Sequence, residues 1–322
     1  MTGTFTGGIT FTGGITFSGA PPSSATAGWF AGGYVSAIPY PNRQISTVQR
    51  ITFATDTATA TIRGPLSSGR KQNAGLSTFT NGWFGGGYTT AGTIVSSIDR
   101  VTFATDTATA SSRGPLAVST GSMAGVSDGT TYGWFGGGGD GAGGLYSNVQ
   151  RITFATDTAT ASQRGKLFPP NGRGMGGTSD NTTYGWFAGG TSPTSSAVNR
   201  IIFATDTATA TLRGPLSAAK YAMGSVGTTT DGWFAGGAPG SSIVQRITYA
   251  TDTATASVRG PLTANKYMTA GVADITYGWF GGNITASSTV DRIIFATDTA
   301  TATNRGPLAT ASGYMGSASG IQ

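Results

Sequence analysis

The residues with strong chemistry in this chain, Trp, Arg and Asp, recur at fixed spacing. An indole stands at Trp29, Trp83, Trp134, Trp186, Trp233 and Trp279. An Arg-Asp-Arg set follows each one: Arg50, Asp56, Arg63; Arg100, Asp106, Arg113; Arg151, Asp157, Arg164; Arg200, Asp206, Arg213; Arg246, Asp252, Arg259; Arg292, Asp298, Arg305. The chain has no His and no Cys, and its 13 acidic residues are all Asp, so the common general bases and activated nucleophiles are missing. A pair of catalytic carboxylates would have to come from Asp outside the repeated column. One carboxylate per repeat among hydroxyls is a thin ligand set for calcium, which takes six to eight oxygens. We therefore expect neither an enzyme nor a metal or cofactor site. In Ala-Thr-Asp-Thr-Ala-Thr the carboxylate is expected to accept backbone N–H groups of a hairpin turn.

The elements that position these residues follow from the period. The Trp column and the aromatic column Phe53, Phe103, Phe154, Phe203, Tyr249 and Phe295 both step by about 46 to 54 residues, the length of a propeller blade or large solenoid unit. With 53 Gly and short Thr, Ile and Phe runs broken by Gly and Pro, the unit is β. The fifth unit reads as four strands, 220–227, 232–236, 243–250 and 254–260. The expected fold is all-β, a six-bladed β-propeller of four-stranded blades. The first unit lacks an innermost strand, which residues 311–319 are expected to supply, closing the ring without an open edge.

Within a blade, Gly-Trp-Phe places Trp and Phe on opposite faces for inter-blade packing. A hairpin centred between Asp56 and Thr57 would set Arg50 opposite Arg63. Two facing guanidiniums need other partners, so we expect an inter-blade clasp in which they bind backbone carbonyls or a carboxylate of the adjacent blade.

Residues 2–19 follow another rule, a six-residue repeat of Thr-Phe-Thr-Gly-Gly-Ile type. The domain division is thus an extended N-terminal β arm, 1–20, and a propeller, 21–322. Too small to bury its own surface, the arm is expected to dock on a partner or on other copies through Phe5, Ile9, Phe11, Ile15 and Phe17.

The net charge of +6 is matched by the 12 Arg and six Asp of the repeated frame, spread around a ring and not gathered in a stripe, which argues against nucleic acid. The seven other basic residues, Arg43, Arg70, Lys71, Lys166, Arg173, Lys220 and Lys266, are matched in number by Asp99, Asp128, Asp140, Asp180, Asp231, Asp274 and Asp291. No apolar run is long enough for a membrane span and no signal-peptide pattern is present, so membrane insertion is not expected.

Loops joining the second strand to the third, and each blade to the next, share one face and hold most of the differences between repeats: 34–44, 88–97, 138–148, 191–197, 238–242 and 283–289. The candidate binding residues on that face are Tyr34, Tyr40, Arg70, Lys71, Tyr88, Tyr146, Phe168, Lys220, Tyr221, Lys266 and Tyr267, a mixture suited to a glycan or protein surface.

The Gly-Gly after an apolar strand, the aromatic-x-x-Asp turn and the closing Pro-Leu make residues 28–319 resemble the kelch type of propeller, although Ala-Thr-Ala stands where kelch blades usually carry a Trp. Ser127-Asp128-Gly129-Thr130 loosely echoes the Asp-box turn of propeller sialidases. The near-identical Thr-Ala-Gly-rich repeats and the Gly-Gly-Ile-Thr-Phe arm resemble tailed-bacteriophage fibre, spike or capsid-decoration proteins. That resemblance implies a non-enzymatic virion protein, docked on a capsid or tail protein through its arm and binding a host-surface glycan or protein. The alternatives are a lectin-like or adhesive secreted or cell-surface propeller and an intracellular kelch-type scaffold.

Overall fold

The computed structural model describes residues 25–39, 43–168, 172–191 and 193–320. The arm positions Phe5, Ile9, Phe11, Ile15 and Phe17, and Tyr40, lie outside the described residues. Six four-stranded antiparallel sheets form a ring. In the fifth blade the strands are Gly224–Gly227, Asp231–Ala235, Val244–Thr248 and Ser257–Arg259, each within the expected spans or shifted by one residue. The first blade comprises Gly316–Ser319, Ala27–Ala31, Val48–Thr52 and Thr61–Arg63, so the C-terminal strand closes the ring as expected.

Between the third and fourth strands every blade inserts a single 3-10 turn, as at Phe53–Thr55, where a plain hairpin was expected. This turn moves the register by two: Arg50 lies opposite Thr61, and Arg63 opposite Val48. The two arginines of a blade therefore do not face each other. They still converge, because both reach one carboxylate of the next blade. Arg50 donates to Asp106 at 3.2 Å and the Arg63 Nε lies 3.4 Å from the same oxygen. The Asp106 carboxylate also accepts the Trp29 indole N–H at 2.8 Å. Thus the column Asp does not serve the N–H groups of its own turn as the sequence suggested. It is the acceptor for the neighbouring blade, and its side chain is only 5% exposed.

The pattern runs around the ring: Trp83 to Asp157, Trp134 to Asp206, Trp186 to Asp252, Trp233 to Asp298, and Trp279 back to Asp56. Each indole also stacks on the aromatic of the next blade's 3-10 turn, with centroids 3.8 Å apart for Trp29 and Phe103 and 4.1 Å for Trp279 and Phe53. The adjacent Phe turns the other way: Phe30 packs with Trp279 and Val290 of the sixth blade, while Trp29 packs with Phe84 and Val101 of the second. There are six such clusters, one per seam, and burying an aromatic of about 200 Å² contributes on the order of 5 kcal/mol before entropy. At the exit, Gly64 must lack a side chain, since a β-carbon there would overlap the Ala108 carbonyl of the next blade.

Removing an acceptor from a seam leaves an indole N–H and two guanidiniums without a partner. Asp106→Ala is expected to lower unfolding free energy by about 3 kcal/mol. Asp106→Asn, which keeps an acceptor for Trp29, should cost clearly less. Denaturant unfolding of both variants checks this, and equal losses would show that the carboxylate's charge, and not its bond to the indole, holds the seam.

Candidate functional site

The seams repeat, so differences between blades must be sought at the ends of the ring. Each blade-to-blade loop delivers one residue in a left-handed conformation just before the innermost strand: Gln72, Ser122, Gly174, Ala222, Met268 and Tyr314, with φ between 58° and 73°. Their backbones form a closed circle. Gln72 N–H donates to the Tyr314 carbonyl, Ser122 to Gln72, Gly174 to Ser122, Ala222 to Gly174, Met268 to Ala222, and Tyr314 to Met268. For a residue with a β-carbon this conformation costs about 1 kcal/mol, offset here by the hydrogen bond it completes. The result is a fixed collar around the axis.

Below the collar lies a second ring, Asn73, Met123, Met175, Met223, Thr269 and Met315, each immediately preceding an innermost strand. Both rings line one cavity of about 400 Å³, together with Arg173, Thr191 and Tyr221. Deeper in, the innermost strands crowd together: a β-carbon at Gly177 would sit 2.7 Å from the Gly125 carbonyl oxygen. The mouth is therefore the roomy part of the axis.

Of the residues expected on this face, Tyr34, Lys71, Tyr221 and Tyr267 do gather here, around Tyr314. The Lys71 ammonium lies 5.2 Å from the Tyr34 ring and 5.6 Å from the Tyr314 ring, and Arg43 donates to the Tyr34 hydroxyl at 2.8 Å. Burial, with the nearby phenols of Tyr267, Tyr34 and Tyr221, pushes the Tyr314 phenol up to about 12.

Others are placed differently. Arg70 is fully buried, bonded to Asp99 at 2.9 Å and to the Ser97 carbonyl, and Lys266 is 2% exposed with its ammonium 3.1 Å from Asp291. Burial lowers both cations' pKa while the carboxylates oppose it. Their charges are therefore spent within the fold, not offered at the surface. Their carboxylate partners belong to a buried column, Gln49, Asp99, Gln150, Asn199, Gln245 and Asp291, that accepts a backbone N–H from the preceding inter-blade loop. Where the column is Asp, the loop supplies a cation. Lys220 faces neutral Gln245 and reaches instead to the Pro239 carbonyl. Tyr88 is buried against the third-blade loop near the Gly139 carbonyl, Tyr146 is half-buried in that loop, and Phe168 stands exposed.

Charge is redistributed too. All seven basic residues outside the repeated frame sit on the loop face, but only Asp99, Asp140 and Asp291 of the seven matching carboxylates join them. Asp128, Asp180, Asp231 and Asp274 lie on hairpins at the opposite end, so the balance expected from the sequence does not hold in space. There Asp128 accepts the N–H groups of Thr130, Thr131 and Tyr132, which makes the Asp-box echo a turn.

Sequence reasoning missed Tyr314, Arg173, Asn73 and Thr269 as site residues. Aligning the repeats exposes the last two as breaks in a Met column, but nothing in the sequence says that the column borders the axial cavity while its methionines pack into the seams, as Met123 does with Leu76 and Phe135. The chain matches no protein-family model and no curated protein.

A phenol that ionises near 10.0 when free and near 12 when folded keeps its contribution to stability below the first value and loses it as pH rises through the second. The wild-type protein should therefore lose stability between pH about 10 and about 12 faster than Tyr314→Phe. Unfolding midpoints across that range check this, and superimposable curves would remove Tyr314 from the packed mouth.

Proposed function

We propose that this protein is a non-catalytic recognition head, carried on a tailed-phage particle by its N-terminal arm. One observation carries the reading: the six seams are nearly identical, whereas tyrosines, cations that make no ion pair among the described residues, and a cavity collect at one end of the axis. A frame repeated six times supplies rigidity, and the loops it holds are where binding specificity is ordinarily built. Stylistic likeness of the repeats and arm to virion appendages supports the particle as its location. Many copies on one particle would turn weak single contacts into firm attachment. The kelch-like order of each blade suits such a head equally well, since kelch blades also present variable loops on one face.

A free lectin-like propeller would use the same mouth without needing an arm, so the arm separates the two. Full-length chain and a chain lacking residues 1–19 should be compared by mass in solution and by incorporation into phage particles. The truncated chain is expected to fold as a monomer and to be left out of particles. Normal incorporation of the truncated chain, or absence of the full chain from particles, would favour the free propeller.

A further inference from the structure

We infer that Phe17 of the N-terminal arm packs into an open socket between the fifth and sixth blades, at the end of the ring opposite the loop face. The repeats themselves show what fills this position. Two residues before the Trp, the third, fourth and sixth blades carry Tyr132, Tyr184 and Tyr277. Each ring lies over the guanidinium of its own blade, 4.2 Å from Arg151 and 4.3 Å from Arg200 and Arg292, and meets its own indole edge-on with centroids 5.7 to 5.9 Å apart. In the fifth blade the position is Asp231, whose carboxylate is held aside by the Thr230 and Thr248 hydroxyls at 2.8 and 2.6 Å and lies 3.6 Å from Arg246. The Arg246 side chain is accordingly 25% exposed, against 15% to 18% where a tyrosine covers the arginine. Over it opens a cavity of about 350 Å³, lined by Trp233, Arg246 and the sixth-blade residues Ile275 and Phe295, with Ile275 an exposed apolar rim.

Ala27 and Asn81 take the tyrosine's place in the first two blades, so what favours the fifth is its position relative to the arm. Ala25, where the chain enters the described structure, packs in the seam between the sixth and first blades with Phe53 and Trp279. One blade separates that seam from the socket. Both lie at the same end, since Ala27 pairs with Thr52 and Asp231 with Thr248, each just before a 3-10 turn. Packed sheets are about 10 Å apart, whereas the eight residues from Phe17 to Ala25 extend to about 26 Å, so the ring reaches the socket. A phenyl ring on the Arg246 face repeats the cation–π contact that the tyrosines make, and residues 2–24 bring no charged side chain to oppose it. The contact needs no particle and does not depend on the recognition-head reading. It sets the direction in which the arm leaves the head and keeps Phe5, Ile9, Phe11 and Ile15 for a partner.

The chain has no cysteine, so the pair Ser18→Cys and Thr229→Cys reports the contact without altering Phe17 or Ile275. Oxidation of this full-length chain is expected to link the two sites within one molecule, a monomer by mass. Adding Phe17→Ala or Asp231→Tyr should cut the yield by about tenfold or more. Asp231→Tyr gives the fifth blade the residue that three blades already carry, so its unfolding midpoint should equal or exceed that of the parent, while Phe17→Ala lies outside the propeller and tests the contact without touching the fold. In the cysteine-free chain, chymotrypsin should cut after Phe17 at least about tenfold more slowly than after Phe5 or Phe11, and Asp231→Tyr should remove the difference. A link between two molecules would overturn docking within one chain in favour of arm exchange between copies. A link whose yield neither variant changes, or no link together with equal cleavage at the three phenylalanines, would overturn the socket as the site of the arm.

Discussion

The structure depends on a carboxylate that belongs to one blade and is satisfied by another. Each column Asp is nearly buried, and an isolated ionised carboxylate there would be too costly to keep. Its partners, an indole and a guanidinium that donate hydrogen bonds and a second guanidinium at ion-pair distance, come from the preceding blade, so no blade completes its own polar chemistry or its own apolar core. Stacking of the same indole on the next blade's 3-10 turn couples the two requirements. The ring must therefore close, and Asp56 meets Trp279 as Asp106 meets Trp29.

Because the seams carry the fold, the ends of the ring are free to differ. The collar of left-handed residues turns that freedom into a defined shape: five side chains in an unfavoured conformation, and one glycine, are held by a closed circle of backbone hydrogen bonds. Strain of this kind persists where the surroundings over-determine it, and it accompanies sites whose geometry must be kept. Beneath the collar, Asn73 and Thr269 interrupt an apolar ring whose other four positions are Met. On the outer side, the pairs Arg70–Asp99 and Lys266–Asp291 show the opposite use of charge, since each is consumed in fastening a loop to its blade.

The fold was legible in the sequence because its determinants are local and repeated. A period near 50, Gly-Trp-Phe alternation and a missing first strand are enough to imply four-stranded blades, their number and the closure by residues 311–319, of which 316–319 form the strand. The clasp was legible in kind, since like charges at fixed spacing must find other partners, but its register was not. A single 3-10 turn moves the pairing by two residues, and that turn depends on packing the Phe53-type aromatic against the indole of the preceding blade. Candidate loop residues were chosen by type, so Arg70, Lys266 and Tyr88 were included although they are buried, while Tyr314 was missed as a site residue.

Composition and periodicity alone determined the β class, the six blades, the frame charge and the lack of His, Cys and Glu, because each is a property of the chain taken in order. Only the tertiary structure decided which carboxylate serves which arginine, which cations remain available at the loop face, and that one residue from every blade borders the same axial cavity. Those outcomes depend on residues far apart in sequence being brought around a common axis, and spacing along the chain does not encode which of them the closed ring will turn inward.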